Sequence, residues 1–205
     1  MLRFSTFIKD LTSLRYVLLF AAAVFAVSLG AGWYGAETFR DMLIQQLQGL
    51  TEVREKLETS DNVQLSFFIF IFLNNAIKSV IIIFLGALFG IGPLIFLVIN
   101  GMVVGFVVRL ADLNGAGVTE LIVKGLLPHG IIEIPALIIA CAFGLQFGRT
   151  LWWAIRGKKD FDYERGGRGW KPMLRQAGTA SVWVVILLFA AAVIESTLTY
   201  QLVGR

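Results

Sequence analysis

VQLSFFIFIFLNNAIKSVIIIFL, residues 63–85, decides the fold class of this chain. The run holds one charge, Lys78, and neither glycine nor proline. At ~1.5 Å of rise per residue, a helix of this length crosses the ~30 Å hydrocarbon core of a bilayer. Asn74 and Asn75 sit side by side at its centre. Amides at that depth are costly unless they find partners, so the stretch announces both a membrane helix and a buried polar site.

The flanking sequence repeats the pattern. Apolar runs at about 16–34, 91–110, 121–147 and 181–203 complete a set of five spans. The chain is 57% hydrophobic and 16% charged, with mean hydropathy +0.77. Soluble domains carry about 25% charge. The expected fold is an all-α polytopic transmembrane helical bundle, with residues 1–205 forming a single integral membrane domain. The first run is too long for the apolar core of a secretory signal peptide, and further spans follow, so it reads as an uncleaved anchor. Cys141 is the only cysteine, which excludes an intrachain disulfide.

Between the first two spans the pattern changes. Phe39, Leu43, Leu47, Leu50, Val53 and Leu57 recur three and four apart, while Glu37, Asp41, Glu52, Glu55, Glu58 and Asp61 outnumber Arg40, Arg54 and Lys56. This predicts an amphipathic helix over 36–61 that lies outside the bundle with an acidic face. The uncharged stretch 86–92 predicts a tight hairpin or a re-entrant bend.

Charge orients the chain. Residues 149–175 hold Arg149, Arg156, Lys158, Lys159, Arg165, Arg168, Lys171 and Arg175 against Asp160, Asp162 and Glu164. The positive-inside rule makes this loop cytoplasmic, and alternation then places the N-terminus inside and the C-terminus outside. The basic residues Arg3, Lys9 and Arg15 agree. Trp152, Trp153 and Trp183 are expected at the inner boundary. The Arg/Gly segment 165–170 is explained by contact with anionic headgroups, so the lipid bilayer and no nucleic acid is the expected partner.

The spans carry Asn74, Asn75, Lys78, Asn100, His129, Glu133 and Glu195. Counting rise from each span end places most of them in the middle third of the bilayer, which predicts one polar cluster. His129 and Glu133 share a helix face at i and i+4. They follow Pro128 and Gly130, with Pro135 beyond, which predicts a break in the fourth span at 128–130. The pair admits a structural reading, in which it satisfies backbone freed by the break, and an ion or proton relay. One histidine leaves too few ligands for a metal centre, and there is no His-Glu-x-x-His. No metal, cofactor or catalytic residue is expected. Gly86/Gly90, Gly101/Gly105 and Gly144/Gly148 are i,i+4 pairs suited to close helix packing or a homo-oligomer. Leu73-Asn-Asn75 with Phe89-Gly90, and Leu127-Pro-His129 with Phe143-Gly144, form a faint parallel echo shifted by 54 residues.

The order Asn74-Asn75, then Asn100-Gly101 with Gly105, then Leu127-Pro128-His129-Gly130 with Glu133 and Gly144, resembles the stage II sporulation protein M family over about residues 65–148. The resemblance implies a small polytopic membrane protein. In spore formers the named member works with membrane-anchored peptidoglycan-cleaving enzymes during engulfment, as a scaffold. Similar proteins occur in organisms that never sporulate, so that role is not carried over. Two functions follow as expectations. One is a non-catalytic scaffold that gathers other membrane proteins; the other is a small transporter or channel with a mid-membrane polar site. A sealed, dry cluster would favour the first, and a cluster facing a cavity the second.

Overall fold

A computed structural model describes residues 3–45, 59, 61–115, 117–120, 122–123, 127–156 and 170–199. Of these, residues 120, 127–129, 170, 171, 198 and 199 are described by backbone alone. All regular structure among them is helical. The helices are α1 (Phe4–Ser13), α2 (Arg15–Tyr34), α3 (Val63–Leu85), α4 (Ile91–Leu113), α5 (Leu127–Ile155) and α6 (Trp170–Ile194), which runs on into a π-turn, Glu195–Thr199. Five segments are long and apolar enough to span a bilayer: Arg15–Tyr34, Val63–Leu85, Ile91–Leu113, Gly130–Ile155 and Pro172–Thr197. The fourth runs on to Ile155 and the fifth begins about nine residues earlier than its hydrophobic run suggests; residues 121 and 124–126, before the fourth, lie outside the described residues. Basic and aromatic residues at 149–156 and 170–180 continue the helices past the point where hydropathy falls.

The outer surface of α3 shows why the fold belongs in lipid. Ile69, Leu73, Ile77 and Ile81 recur every fourth residue and are each about half exposed. In water such a stripe would be a sticky patch; in a bilayer it is ordinary lipid contact. The inward face of the same helix buries Ala76, Ser79, Ile82 and Ile83. Its start is capped by Asn62, whose Oδ1 accepts from the Leu65 N–H at 3.1 Å.

The 86–92 region is a tight hairpin. The Gly90 N–H donates to the Gly86 carbonyl at 2.9 Å, and Phe89 and Gly90 both adopt positive φ, 56° and 79°. Only glycine takes that left-handed conformation without strain. Pro93 falls in the first turn of α4, where its missing N–H leaves no bond unmade.

Glycine pairs set the helix registers. α3 and α5 run parallel, with equivalent positions 58 residues apart, as Asn75 and Glu133 mark. A Cβ on Gly86 would fall on the Gly144 carbonyl, and one on Gly148 would meet the Gly90 nitrogen. The two pairs therefore close on each other within one chain. The third pair, Gly101/Gly105, presses on α2: added carbons would strike Phe25 and Ser28, and the Leu29 carbonyl. Gly32 answers from the other side against the Met102 backbone. α2 and α4 form the most extensive helix contact in the bundle.

α5 continues without interruption from Leu127 through Pro135 to Ile155. Pro135 is exposed, so its ring meets no neighbouring helix. Residues 121 and 124–126, where the break predicted before Pro128 would fall, lie outside the described residues. With the 58-residue offset, Leu127 stands level with Ile69.

At the opposite end of α5, Arg149 stacks on Trp153 at 4.7 Å and Arg156 on Trp152 at 4.4 Å. Phe89 of the hairpin meets Trp152 edge-on at 5.6 Å. Trp183 is covered by α1, with Phe4 and Phe7 ring centroids 4.9 and 5.8 Å away, and Asp10 accepts from Gln176 at 3.1 Å. This short amphipathic helix was not expected from hydropathy, because ten residues are too few to stand out beside a span. Of the predicted helix 36–61, residues 40–45 are helical, and Leu43 is fully buried with Ala36 against Met102 and Phe106. Residues 46–58 and 60 lie outside the described residues, as do Lys158, Lys159, Arg165 and Arg168 of the basic loop.

Candidate functional site

The inward face of α3 meets α4, α5 and the π-turn around a partly open cleft of about 280 Å³. α3 contributes Asn74, Asn75, Lys78 and Ser79; α4 contributes Asn100; α5 contributes Glu133; the π-turn contributes Glu195. Phe70, Phe96, Leu137 and Leu188 supply apolar wall. From Phe70 to Ser79 the cleft follows α3 for about 13 Å. Six of the seven polar residues singled out from sequence thus line one cavity. The seventh, His129, sits one turn before Glu133, and its side chain lies outside the described residues.

The local chemistry follows from register. Asn75 and Glu133 face each other because α3 and α5 are parallel and glycine-packed, and Asn75 Nδ2 donates to Glu133 Oε1 at 2.7 Å. Asn74 Nδ2 donates to Asn75 Oδ1 at 3.3 Å, which extends the chain of bonds by one amide. Asn100 turns its nitrogen back to the Phe96 carbonyl at 2.7 Å, a bond within its own helix. Lys78 is exposed, at the rim. Ser79, on the same turn, is only 3% exposed and was not anticipated as a site residue. Serine is so common in membrane helices that nothing in the sequence marks it.

Glu133 joins the cleft through the parallel register of α3 and α5, and Glu195 because the π-turn packs against α3. Such i→i+5 turns often occur at functional sites. Among the described residues no group of three or more His, Cys, Asp or Glu is placed to hold a metal ion.

A family model, stage II sporulation protein M, matches residues 21–200, which takes in α3, α4, α5, α6 and the whole cleft. The chain belongs to the stage II sporulation protein M family. Comparison with curated proteins and with solved structures finds no match. Membership in the family, together with five apolar helices, makes this a multi-pass membrane protein. Of the residues that carry the family resemblance, Gly101, Gly105 and Gly144 allow helices to touch, while Asn74, Asn75, Asn100 and Glu133 line the cleft.

Proposed function

We propose that this family member is a non-catalytic membrane component whose working part is the cleft, where it takes up a small polar or ionic species as a small transporter or channel subunit does. The observation that carries this reading is the cavity itself. Polar side chains kept in lipid for structural reasons alone gain most by closing on one another. Here they surround open space, and Asn75 reaches across to Glu133 from helix to helix. Polar groups that line a cavity at membrane depth mark solute and ion pathways. The chain enters the membrane with its Arg149/Arg156 end cytoplasmic, by the positive-inside rule. Reconstituted protein is expected to pass at least one solute or ion from a broad panel across liposomes, with flux reduced at least tenfold by Glu133→Gln. Absence of flux across the panel sinks the reading.

A second reading, a scaffold that positions other membrane proteins, is favoured by the segment after α2. Leu43 anchors it to α4, while Glu37 and Asp41 stay exposed. A partner with a basic surface would suit that acidic edge. A photocrosslinker at position 38 should capture one defined membrane protein in cells, and charge reversal by Glu37→Lys with Asp41→Lys should abolish the adduct. An unchanged adduct removes this docking edge.

A further inference from the structure

We infer that the Arg149/Arg156 end of α5 is a binding site for one anionic phospholipid, whose headgroup meets the two guanidiniums and whose acyl chains meet the α3–α4 hairpin. This site is separate from the cleft, whose lining holds none of these residues.

The two arginines converge. Their Cα atoms are ~10 Å apart along the helix axis. Arg149 reaches forward over the Trp153 ring at 4.7 Å, and Arg156 reaches back over the Trp152 ring at 4.4 Å. The rings belong to consecutive residues, so both charges come to nearly one level of α5. Among the described residues no carboxylate meets either of them. Two cations drawn together repel, and an anion shared by both removes that cost. A guanidinium stacked by its face keeps the N–H fork at its edge, which matches the oxygens of a phosphate.

The hairpin selects a lipid over a soluble anion. No charged residue falls between Lys78 and Arg109, so the turn carries none. Leu88, Phe89 and Ile91 are each at least half exposed, and Phe89 meets Trp152 edge-on at 5.6 Å. Ile155, one turn beyond Trp152, is exposed as well. Gly148 packs on Gly90, so α5 runs on past the hairpin for ~10 Å, from Arg149 to Ile155. Apolar side chains at the tip belong in hydrocarbon, and the arginines stand at its edge, where headgroup phosphates lie. A phosphate on that pair brings its acyl chains against Leu88, Phe89 and Trp152. Two positive charges with no acid beside them favour a headgroup of net negative charge over a zwitterionic one, whose own cation they would repel.

The test uses the full-length protein in a neutral detergent, titrated with phosphatidylglycerol or phosphatidylcholine. Native mass spectrometry should show about one phosphatidylglycerol retained per chain above the phosphatidylcholine background. The thermal midpoint should rise with phosphatidylglycerol, and neither phosphatidylcholine nor inorganic phosphate should reproduce the rise. Arg149→Gln and Arg156→Gln should each weaken retention about fivefold, the ordinary share of one basic residue at a bilayer surface. Arg149→Lys should weaken it too, because lysine keeps the charge and loses the stacked fork. Lys9→Gln, an exposed basic residue on α1, should leave retention unchanged. In a Cys141→Ala background in nanodiscs, Leu88→Cys should resist a water-soluble methanethiosulfonate reagent, as a tip in hydrocarbon requires. This arm leaves both arginines in place and so stands if their variants misfold. Equal retention of the two lipids, a midpoint rise matched by inorganic phosphate, or retention unmoved by both Gln variants overturns the assignment. So does retention that Arg149→Lys leaves intact, retention that Lys9→Gln weakens as much as the arginine variants do, or rapid labelling at position 88.

Discussion

Gly144→Leu is expected to abolish the folded bundle. A Cβ at this position would lie 2.6 Å from Pro93 Cγ and 2.8 Å from the Ile82 carbonyl oxygen. One neighbour is a ring fixed in the first turn of α4 and the other is helix backbone, so neither can move aside as a flexible side chain would. Overpacking a close helix contact costs about 1–3 kcal/mol when side chains can yield, and more when backbone must shift. Moving α5 away from α3 also separates Gly86 from Gly144, Gly148 from Gly90, and Asn75 from Glu133. The measurement is the monodisperse fraction and thermal midpoint in detergent. Gly178→Ala is the control, since an added Cβ there meets nothing within 4 Å. Alanine in a helix interior is favoured over glycine by about 1 kcal/mol, so this variant should match or exceed wild type. A Gly144→Leu protein as stable as Gly178→Ala would show that the parallel α3–α5 contact does not hold the bundle together.

The second large effect belongs to the Asn75–Glu133 bond. Hydrogen bonds between membrane helices average about 0.6 kcal/mol and reach about 1.7, because the separated helices find other partners. A bond to a charged acceptor inside a protein runs to about 1.5–3 kcal/mol. Glu133 is half-buried, and the bond crosses between elements 58 residues apart, so the upper part of the membrane range, about 1.5 kcal/mol, applies. Asn75→Ala and Glu133→Ala should each destabilise the protein, and the double variant should cost less than the two together by about this amount. Glu133→Gln keeps an oxygen facing Asn75 and should retain most of the stability while losing most of the flux. That split separates the bond's structural share from its functional one. Strict additivity in the double-mutant cycle would mean the two side chains do not interact.

Legibility of the fold varied with how local each cause was. The α3 span runs from Val63 to Leu85, as hydropathy alone implies, because Asn62 caps its start and the glycine hairpin ends it. The fourth span runs on to Ile155 and the fifth begins at Pro172, because Arg149, Trp152, Trp153 and the 170–180 segment lower the hydropathy while the helices continue. α1 was missed for the opposite reason, since its single buried aromatic, Phe7, gains a partner only from Trp183 on α6. Within the cleft, Asn75 and Glu133 were readable as polar residues in apolar runs. Ser79 was not, since it reaches the cleft by its place on the buried face of α3 and not by its residue type.

Burial of apolar side chains and the cost of an unpaired backbone in lipid act residue by residue, so the sequence by itself determined that this chain is a five-span helical membrane protein. It also marked which polar residues must be accounted for. Helix register is different in kind. It depends on which small residues meet across a contact, and i,i+4 glycines alone do not say whether their partner is a second chain or the same one. Only the tertiary structure decided that Gly86 meets Gly144 and Gly148 meets Gly90, and that Asn75 therefore reaches Glu133. The same register brings these side chains to one cleft with Asn100 and Glu195, because helices packed backbone to backbone at their glycines fix which turns face each other.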